Sequence, residues 1–169
     1  MRKVSFADMH CSIAQSLEIV GEWWTLLILR DSFLGVRRFD EFVDRLGISR
    51  NVLTDRLDKL VAAGVLDRRL YDEGRRRYDY VLTEKGRALW PVLTALREWG
   101  DDWILAPGNE PVLIEHRACG SVTRLNPVCS CCGEPLDARA VRAVAGPGAQ
   151  PDSPLPEPAA GRVEPDRPD

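Results

Sequence analysis

The sequence predicts a mainly α-helical domain with one small β-hairpin, an α+β class. Two observations predict it. Apolar residues recur at helical spacing in several segments between residues 11 and 63, and a strand-like alternation replaces that spacing between residues 65 and 83. Helical spacing then returns up to about Trp103. The order of four helices, a hairpin and a last helix predicts a winged helix-turn-helix with one added N-terminal helix.

The first two helices differ in how much of their surface is apolar. The segment Cys11–Val20 carries an apolar stripe and ends at Gly21. The segment Trp23–Leu34 is apolar around much of its circumference, and Gly35 ends it. We therefore expect the second segment to be the buried central helix of the domain.

The next two helices have the lengths and the turn of a helix-turn-helix. The segment Arg38–Leu46 has apolar residues at i, i+3, i+4 and i+7, and Gly47 follows it. Ser49 is a good N-cap for a helix that runs to about Ala63, where Gly64 ends it. The short connection between the two helices predicts a helix-turn-helix motif.

A hairpin and a long helix complete the predicted domain. The segments Val65–Tyr71 and Arg77–Thr83 alternate as strands, and residues 72–76 join them. Thr83 can cap a last helix that runs to about Trp103. Pro91 lies inside this segment, so we expect the helix to be kinked or split there.

Composition divides the chain into three parts. Residues 11–105 form the predicted winged helix-turn-helix domain, and the breakers in 106–111 indicate a linker. Residues 112–143 form a short segment that carries cysteines, for which we expect a small β structure. Residues 146–169 are rich in proline and acid and lack apolar periodicity, which predicts a disordered tail.

Charge is unevenly distributed along the chain. The formal net charge of −3 does not by itself indicate nucleic-acid binding. Residues 37–77 contain 11 Lys or Arg and 8 Asp or Glu, a local balance of +3, whereas the part after Gly146 contains two Arg and five acids. DNA binding depends on a basic face rather than on the charge of the whole chain, so the domain is compatible with it.

Several classes of protein are disfavoured by the sequence. No run of 18 apolar residues and no signal peptide is found, so we expect a cytoplasmic, nucleoid-associated protein with no membrane partner. The five cysteines are then interpreted as metal ligands, reactive thiols or buried residues rather than a disulfide framework. Neither a Ser/His/Asp set nor a phosphate loop is present, so we do not expect an enzyme.

The second helix of the motif and the hairpin tip carry the candidate DNA-binding residues. Arginine and asparagine suit bidentate contacts to guanine and adenine edges, and an arginine-rich tip suits the phosphate backbone or the minor groove. The alternative is a solvated helix face beside a soluble loop. The candidate residues are Arg38, Ser49, Arg50, Asn51, Thr54, Asp55, Arg56, Lys59, Arg75, Arg76 and Arg77.

Two groups of cysteines suggest further chemistry. Cys11 begins a helix, where the helix dipole lowers the pKa of a thiol, so it is a candidate redox sensor; the alternative is a small buried residue. No cofactor is certain, but a structural zinc is a candidate, because two ligand pairs with two residues inside each pair lie nine residues apart. The candidate ligands are His116, Cys119, Cys129 and Cys132, and the alternative is a small hairpin with cysteines as apolar filler.

As a set, these motifs resemble the HxlR-type winged-helix regulators. The matching pieces are Cys11, WTLLILR at 24–30, Arg38-Phe39 with Phe42, ISxxVLTxRL at 48–57, LTEKG at 82–86 and WGxxW at 99–103, where x marks a position outside the match. The resemblance implies a homodimer, with the first and last helices at the dimer interface, that binds a palindromic operator. It also implies repression of a neighbouring gene in many members and a response to electrophiles or oxidants in several.

Two positions depart from the family pattern. Ser12 stands where the family usually has proline after the N-terminal cysteine, and Trp23 stands where a lysine often precedes the central tryptophan. The second departure adds apolar surface near the dimer core or a ligand pocket.

The prediction is therefore a sequence-specific DNA-binding transcription regulator, a repressor that acts as a homodimer and responds to a thiol-reactive or small-molecule signal. Its expected partners are a double-stranded DNA operator and a second copy of the chain. The alternative is a small-molecule-binding or partner-docking protein that uses the winged helix as a scaffold.

Overall fold

The computed structural model describes residues 5–72, 74 and 77–149, and it confirms the mainly helical class with a small antiparallel hairpin. In chain order the elements are α1 (Ser12–Val20), α2 (Trp23–Phe33), α3 (Phe39–Leu46), α4 (Arg50–Ala62), β1 (Leu66–Asp72), β2 (Arg77–Leu82), α5 (Glu84–Arg87), α6 (Trp90–Trp103), β3 (Ile114–His116) and β4 (Ser121–Thr123). The described helices include none that is both long and apolar enough to cross a membrane.

Local signals in the sequence set the ends of these helices. The Oγ of Ser49 accepts the Val52 N–H at 3.4 Å and so caps α4 as expected. Gly47 ends α3 with a φ of 62°, a left-handed conformation that favours glycine. Together these two residues fix the turn of the helix-turn-helix.

The core of the first unit forms around α2. Ile28 and Leu29 are fully buried, and they pack with Phe42 of α3 and with Leu53 and Leu57 of α4. The expectation of a buried central helix therefore holds for the middle of α2. It does not hold at the start of the helix, where the side chain of Trp23 is 83% exposed.

The hairpin of β1 and β2 is joined to the start of α3. The pairing runs from Leu66 opposite Leu82 to Leu70 opposite Tyr78, and the register then shifts. The Tyr80 N–H donates to the Arg37 carbonyl at 2.8 Å, which adds a third stretch of backbone beside β2. The hairpin is consequently held in place relative to the helix-turn-helix.

Pro91 splits the last predicted helix in two. Because proline has no N–H and its ring excludes the preceding turn, it is tolerated only at the start of a helix. It lies in the first turn of α6, with Leu89 as the N-cap, and the short helix α5 precedes it.

A dense junction lies where α5 meets the end of α4. The Oγ1 of Thr83 accepts the Gly86 N–H at 3.1 Å and donates to the Gly64 carbonyl at 2.7 Å. Gly86 packs so closely that a Cβ atom there would overlap the Val65 carbonyl oxygen. Lys85 adds a hydrogen bond from its Nζ to the Ala63 carbonyl at 2.8 Å.

An ion pair connects α4 to the residue before α2. The Nη2 of Arg56 lies 3.3 Å from Glu22 Oε2, and its Nη1 lies 2.8 Å from Asp55 Oδ2. We expected Arg56 on the outer side of α4, but its side chain is only 15% exposed and turns inward. The attraction of the Glu22 carboxylate, which is distant in sequence, accounts for the difference.

The chain divides into two compact units, residues 1–125 and 126–169. Residues 112–125 belong to the first unit because α6 holds them: Arg97 donates to the Val112 carbonyl at 2.8 Å, and Glu98 accepts the Leu125 N–H at 3.0 Å. The boundaries 11–105, 112–143 and 146–169 stay a prediction, and most of the expected disordered tail lies outside the described residues.

We predict that Gly86→Ala lowers the free energy of unfolding by about 2–3 kcal/mol, because the new methyl group must displace backbone at the α4–α5 junction. Urea denaturation followed by circular dichroism measures the change. Gly146→Ala is the control, since no atom lies within 4 Å of the position that its Cβ would occupy. Equal stability of the two variants would contradict the close approach.

We predict that Arg56→Ala lowers the free energy of unfolding by about 2 kcal/mol, since it removes the α4 cation that pairs with the Glu22 carboxylate. Lys59→Ala, which removes an exposed pair to the same Asp55, should change it by less than about 0.5 kcal/mol. The same denaturation assay compares them. A larger effect from Lys59 than from Arg56 would overturn this assignment.

Candidate nucleic-acid interface

The exposed side of α4 presents polar residues, while the opposite side enters the core through Leu53, Leu57 and Leu60. This division follows from the narrow apolar stripe of the helix. The sequence-predicted residues that the structure brings together on the exposed side are Arg50, Asn51, Thr54, Asp55 and Lys59, with Ser49 at the N-cap.

Asn51 differs from its neighbours on this side in the hydrogen bonding of its side chain. It is exposed in the first turn of α4, and its amide has no hydrogen-bond partner among the described residues. Thr54, in contrast, uses its hydroxyl to donate to the Arg50 carbonyl at 2.9 Å. The amide of Asn51 therefore keeps its donors and its acceptor for a ligand.

Arg50 is held toward α3. Its Nη1 lies 2.9 Å from Asp40 Oδ1, and its guanidinium lies 4.8 Å from the centre of the Phe39 ring. Both charged side chains of the pair are about two-thirds exposed, so the pair is weak. A phosphate or a guanine edge can compete with Asp40 for the same guanidinium.

Lys59 forms a second exposed pair on the same helix. Its Nζ lies 2.8 Å from Asp55 Oδ2, one helical turn earlier. Asp55 also accepts from Arg56 at 2.8 Å, so this carboxylate serves as an anchor for two cations. Asp55 thereby orients two neighbouring cations on α4.

The hairpin adds aromatic and basic side chains beside α3. The guanidinium of Arg38 lies 4.9 Å from the centre of the Tyr71 ring, and its Nε lies 3.8 Å from Asp79. Arg77 is exposed at the start of β2. The predicted tip residues Arg75 and Arg76 lie outside the described residues.

Sequence reasoning missed two aromatic residues of this surface. The ring of Tyr71 forms a cation–π contact with Arg38. The ring of Tyr78 forms another with Arg68, whose guanidinium lies 4.6 Å from the ring centre. The signal was the strand alternation, which places aromatic and basic residues on facing strands. Further inside the hairpin, burial raises the pKa of Tyr80, an effect that the nearby Arg68 opposes.

A separate cavity of about 710 Å³ lies between the end of α2, the hairpin and the start of α6. Its lining includes three cations, Arg37, Arg69 and Arg87, and three aromatic residues, Phe33, Tyr80 and Trp90. Trp23, near which the sequence suggested a ligand pocket, is not among its lining residues.

Cys11 lies where a helix-terminal sensor was expected. It is the N-cap residue of α1 and is exposed, so the alternative of a buried filler does not describe it. The side-chain amide of Gln15 holds the preceding segment by donating to the carbonyls of Ala7 and Met9 at 2.7 and 2.9 Å. Redox sensing by Cys11 stays a prediction.

The four candidate zinc ligands occur as one pair in each unit. In the first unit, His116 Nδ1 lies 3.3 Å from Cys119 Sγ, and the backbone N–H of Ser121 lowers the pKa of the Cys119 thiol. In the second unit, the backbone N–H groups of Cys132 and Cys131 lower the pKa of the Cys129 thiol.

Within the part of the chain that the structure describes, the arrangement of side chains does not support a metal site at these four residues. No group of three or more His, Cys, Asp or Glu side chains there is arranged to hold a metal ion. The zinc site of His116, Cys119, Cys129 and Cys132 therefore stays a prediction from sequence spacing.

Comparison with known proteins agrees with this geometry. A family model described as HxlR-like helix-turn-helix matches residues 19–107. An uncharacterized HTH-type transcriptional regulator of Mycobacterium tuberculosis is 43% identical over 137 residues, which cover 81% of this chain and 87% of that protein. An uncharacterized HTH-type regulator of Synechocystis is 38% identical over 95 residues, 56% of this chain and 70% of that protein.

Solved structures extend the similarity to the fold. The crystal structure of the candidate transcription factor PA1607 superposes with a TM-score of 0.76 at 38% identity, covering 85% of this chain and all of that one. The redox regulator HypR in its reduced form gives a TM-score of 0.51 at 30% identity, covering 54% of this chain and 92% of that one. The resemblance noted from the motifs is confirmed: this chain belongs to the HxlR-like helix-turn-helix family of DNA-binding transcription regulators.

Proposed function

We propose that the protein binds a palindromic DNA operator as a homodimer and represses transcription there. The observation that carries the proposal is the exposed side of α4, where Asn51 offers an amide without a partner among the described residues, next to the weakly paired Arg50. These residues lie in the first turn of the second helix of a helix-turn-helix, the part of such a motif that contacts base edges.

The two residues suit different bases. Asparagine forms bidentate hydrogen bonds with adenine, and arginine does so with guanine. Arg77 at the start of β2 and Arg38, which pairs with β2 from the start of α3, suit phosphate contacts, which position the protein without specifying sequence. Base contacts from α4 and backbone contacts from the hairpin together account for specific binding.

The homodimer rests on an exposed apolar stripe. On α6 the side chains of Val92, Leu96, Trp99 and Trp103 follow one another at helical spacing and are 50–76% exposed. On α1 the side chains of Ile13 and Leu17 are also exposed. Apolar area of this extent on the first and last helices favours a second copy as the partner, in agreement with the resemblance.

The proposal also includes repression of transcription and a response to a chemical signal. A dimer that occupies an operator within a promoter excludes the polymerase, and many relatives of this type are expected to act so. One structural neighbour, HypR, is a redox regulator, which supports a thiol-reactive signal at the exposed Cys11. If the signal is a small molecule, we propose the open cavity beside the hairpin as its binding site.

One prediction of the proposed function concerns contacts between α4 and the DNA bases. Replacing Arg50 and Asn51 together by alanine should weaken binding to the DNA upstream of the protein's own gene roughly 30-fold or more, because each bidentate base contact is worth about 1–3 kcal/mol. Gel shifts at several salt concentrations measure the affinity. For the unaltered protein the affinity should fall as salt rises, since phosphate contacts release counterions.

The matched control is the double variant Arg142→Ala, Asn109→Ala, which removes the same residue types from exposed positions outside the motif. It should bind like the unaltered protein, and circular dichroism should show both variants folded. Equal binding by the two double variants would reject α4 as the reading helix. Binding that ignores salt would favour the scaffold alternative.

Another prediction of the proposed function concerns the dimer. Leu96→Asp places a charge in the middle of the α6 stripe, so it should raise the dimer dissociation constant roughly 30-fold or more by leaving that charge without a partner in the interface. Light scattering after gel filtration measures the mass as a function of concentration.

Leu34→Asp serves as the comparison, because Leu34 is similarly exposed but follows α2. It should leave the mass of the assembly unchanged. A monomeric unaltered protein, or a dimer that survives Leu96→Asp, would remove the basis for the proposed interface.

A further inference from the structure

The cavity beside the hairpin is lined by three arginines that strand β2 brings together. The backbone carbonyl of Arg37 accepts the Tyr80 N–H at 2.8 Å. The Nη1 of Arg87 donates to the Leu82 carbonyl at 2.8 Å. Arg69 lies on β1, the strand that pairs with β2. Residues that are far apart in the sequence therefore place their charges at one cavity.

These charges are not neutralised by acids of the cavity. Among the described residues its lining contains no Asp or Glu. The side chain of Arg37 makes no hydrogen bond or ion pair with any described residue. Arg69 pairs with Asp67 at 3.0 Å, but both side chains are more than half exposed, so the pair is weak. Asp79, opposite Arg69 in the hairpin, pairs with Arg38 at 3.8 Å and is not a lining residue.

The rest of the lining is largely aromatic and apolar. Phe33 at the end of α2, Tyr80 of β2 and Trp90 at the start of α6 contribute rings, and Val36 and Val81 lie beside them. Tyr80 is buried, whereas Trp90 is 38% exposed and can be contacted by a ligand. A volume of about 710 Å³ is in the range of sites for small molecules.

We propose that this cavity binds a small aromatic carboxylate. A carboxylate forms charge-assisted hydrogen bonds with a guanidinium, often two in parallel, and a planar ring packs favourably against aromatic side chains. The inference deepens the proposed function, on which the role of the ligand as a signal rests. Binding of the ligand to the cavity is a separate property, which is measured without DNA.

A ligand in this cavity contacts the hairpin and α6 at the same time. Under the proposed function the hairpin contacts DNA and α6 forms the dimer. If the ligand changes the affinity for DNA, DNA changes the affinity for the ligand by the same factor. The position of the cavity thus suits a ligand that regulates DNA binding.

Isothermal titration calorimetry of the full chain tests the proposal, with 2-naphthoate as the probe. The amide 2-naphthamide has the same rings without the charge, and cyclohexanecarboxylate has the charge without an aromatic ring. Each should bind roughly tenfold or more weakly than 2-naphthoate. The amide loses the charge-assisted hydrogen bonds, and the cyclohexane compound loses the ring contacts.

The variant Arg37→Gln should weaken the binding of 2-naphthoate roughly tenfold or more, because it removes the arginine that has no partner among the described residues. Tyr80 binds the backbone carbonyl of residue 37, and the variant retains that contact. The matched control is Arg117→Gln, which removes an exposed arginine that does not line the cavity. The control should bind 2-naphthoate unchanged, and circular dichroism should show both variants folded.

A second pair of variants tests the aromatic part of the site. Trp90→Leu should weaken the binding of 2-naphthoate roughly threefold or more, because leucine keeps an apolar side chain but removes the ring. Trp23→Leu is its control, since Trp23 is 83% exposed and lies outside the lining. It should leave the affinity unchanged.

Several results would overturn the proposal. They are absence of 2-naphthoate binding, equal binding of 2-naphthamide, and a loss from either control variant as large as that from its partner. Inorganic phosphate that displaces 2-naphthoate at equal concentration would also overturn it, because the arginines would then form a site for phosphate groups.

The calorimetry also separates this inference from the proposed function. Protein that binds 2-naphthoate but no DNA would contradict the proposed function and leave the ligand of the cavity established. Protein that binds DNA but not 2-naphthoate would overturn this inference and leave the proposed DNA binding in place.

Discussion

The close approach of Gly86 to the Val65 carbonyl is the constraint on which the arrangement of the DNA-binding unit depends. The end of α4, the start of the hairpin and the short helix α5 contact one another at this point. Hydrogen bonds join them, and most of these bonds involve Thr83. A residue with a side chain at position 86 would separate them. Helix α4, the hairpin and α5 are thereby held together.

Charge on the exposed side of α4 is balanced rather than simply basic. Lys59 and Arg56 share the carboxylate of Asp55, and Arg56 also reaches Glu22. A chain with a net charge of −3 can still bind a polyanion. The exposed ion pair of Lys59 with Asp55 is weak, so a phosphate can replace the carboxylate as the partner of the lysine with little loss of free energy. The more buried pair of Arg56 with Glu22 remains and orients α4 on α2.

Sequence reasoning succeeded where the cause of a structure is local, and it failed where the cause is distant. The cap at Ser49, the left-handed Gly47 and the split at Pro91 depend on neighbours within one helical turn, so they could be read from the chain. The inward turn of Arg56 depends on Glu22, 34 positions earlier, and no periodicity reports it. The attachment of residues 112–125 to α6 also depends on distant partners. Arg97 and Glu98 of α6 bind the Val112 carbonyl and the Leu125 N–H, and backbone groups carry no sequence pattern that identifies them as partners.

The pairing of Arg50 with Asp40 has a consequence for discrimination between DNA sequences. An arginine that must leave a carboxylate and an aromatic ring before it reaches a base starts from a favourable state in the free protein. A guanine at the right position compensates for that loss, whereas a base with no acceptor there does not. Under the proposed function, the pair with Asp40 slightly lowers the affinity for every site, and only a site that supplies the guanine recovers it, although Asp40 need not touch the DNA itself.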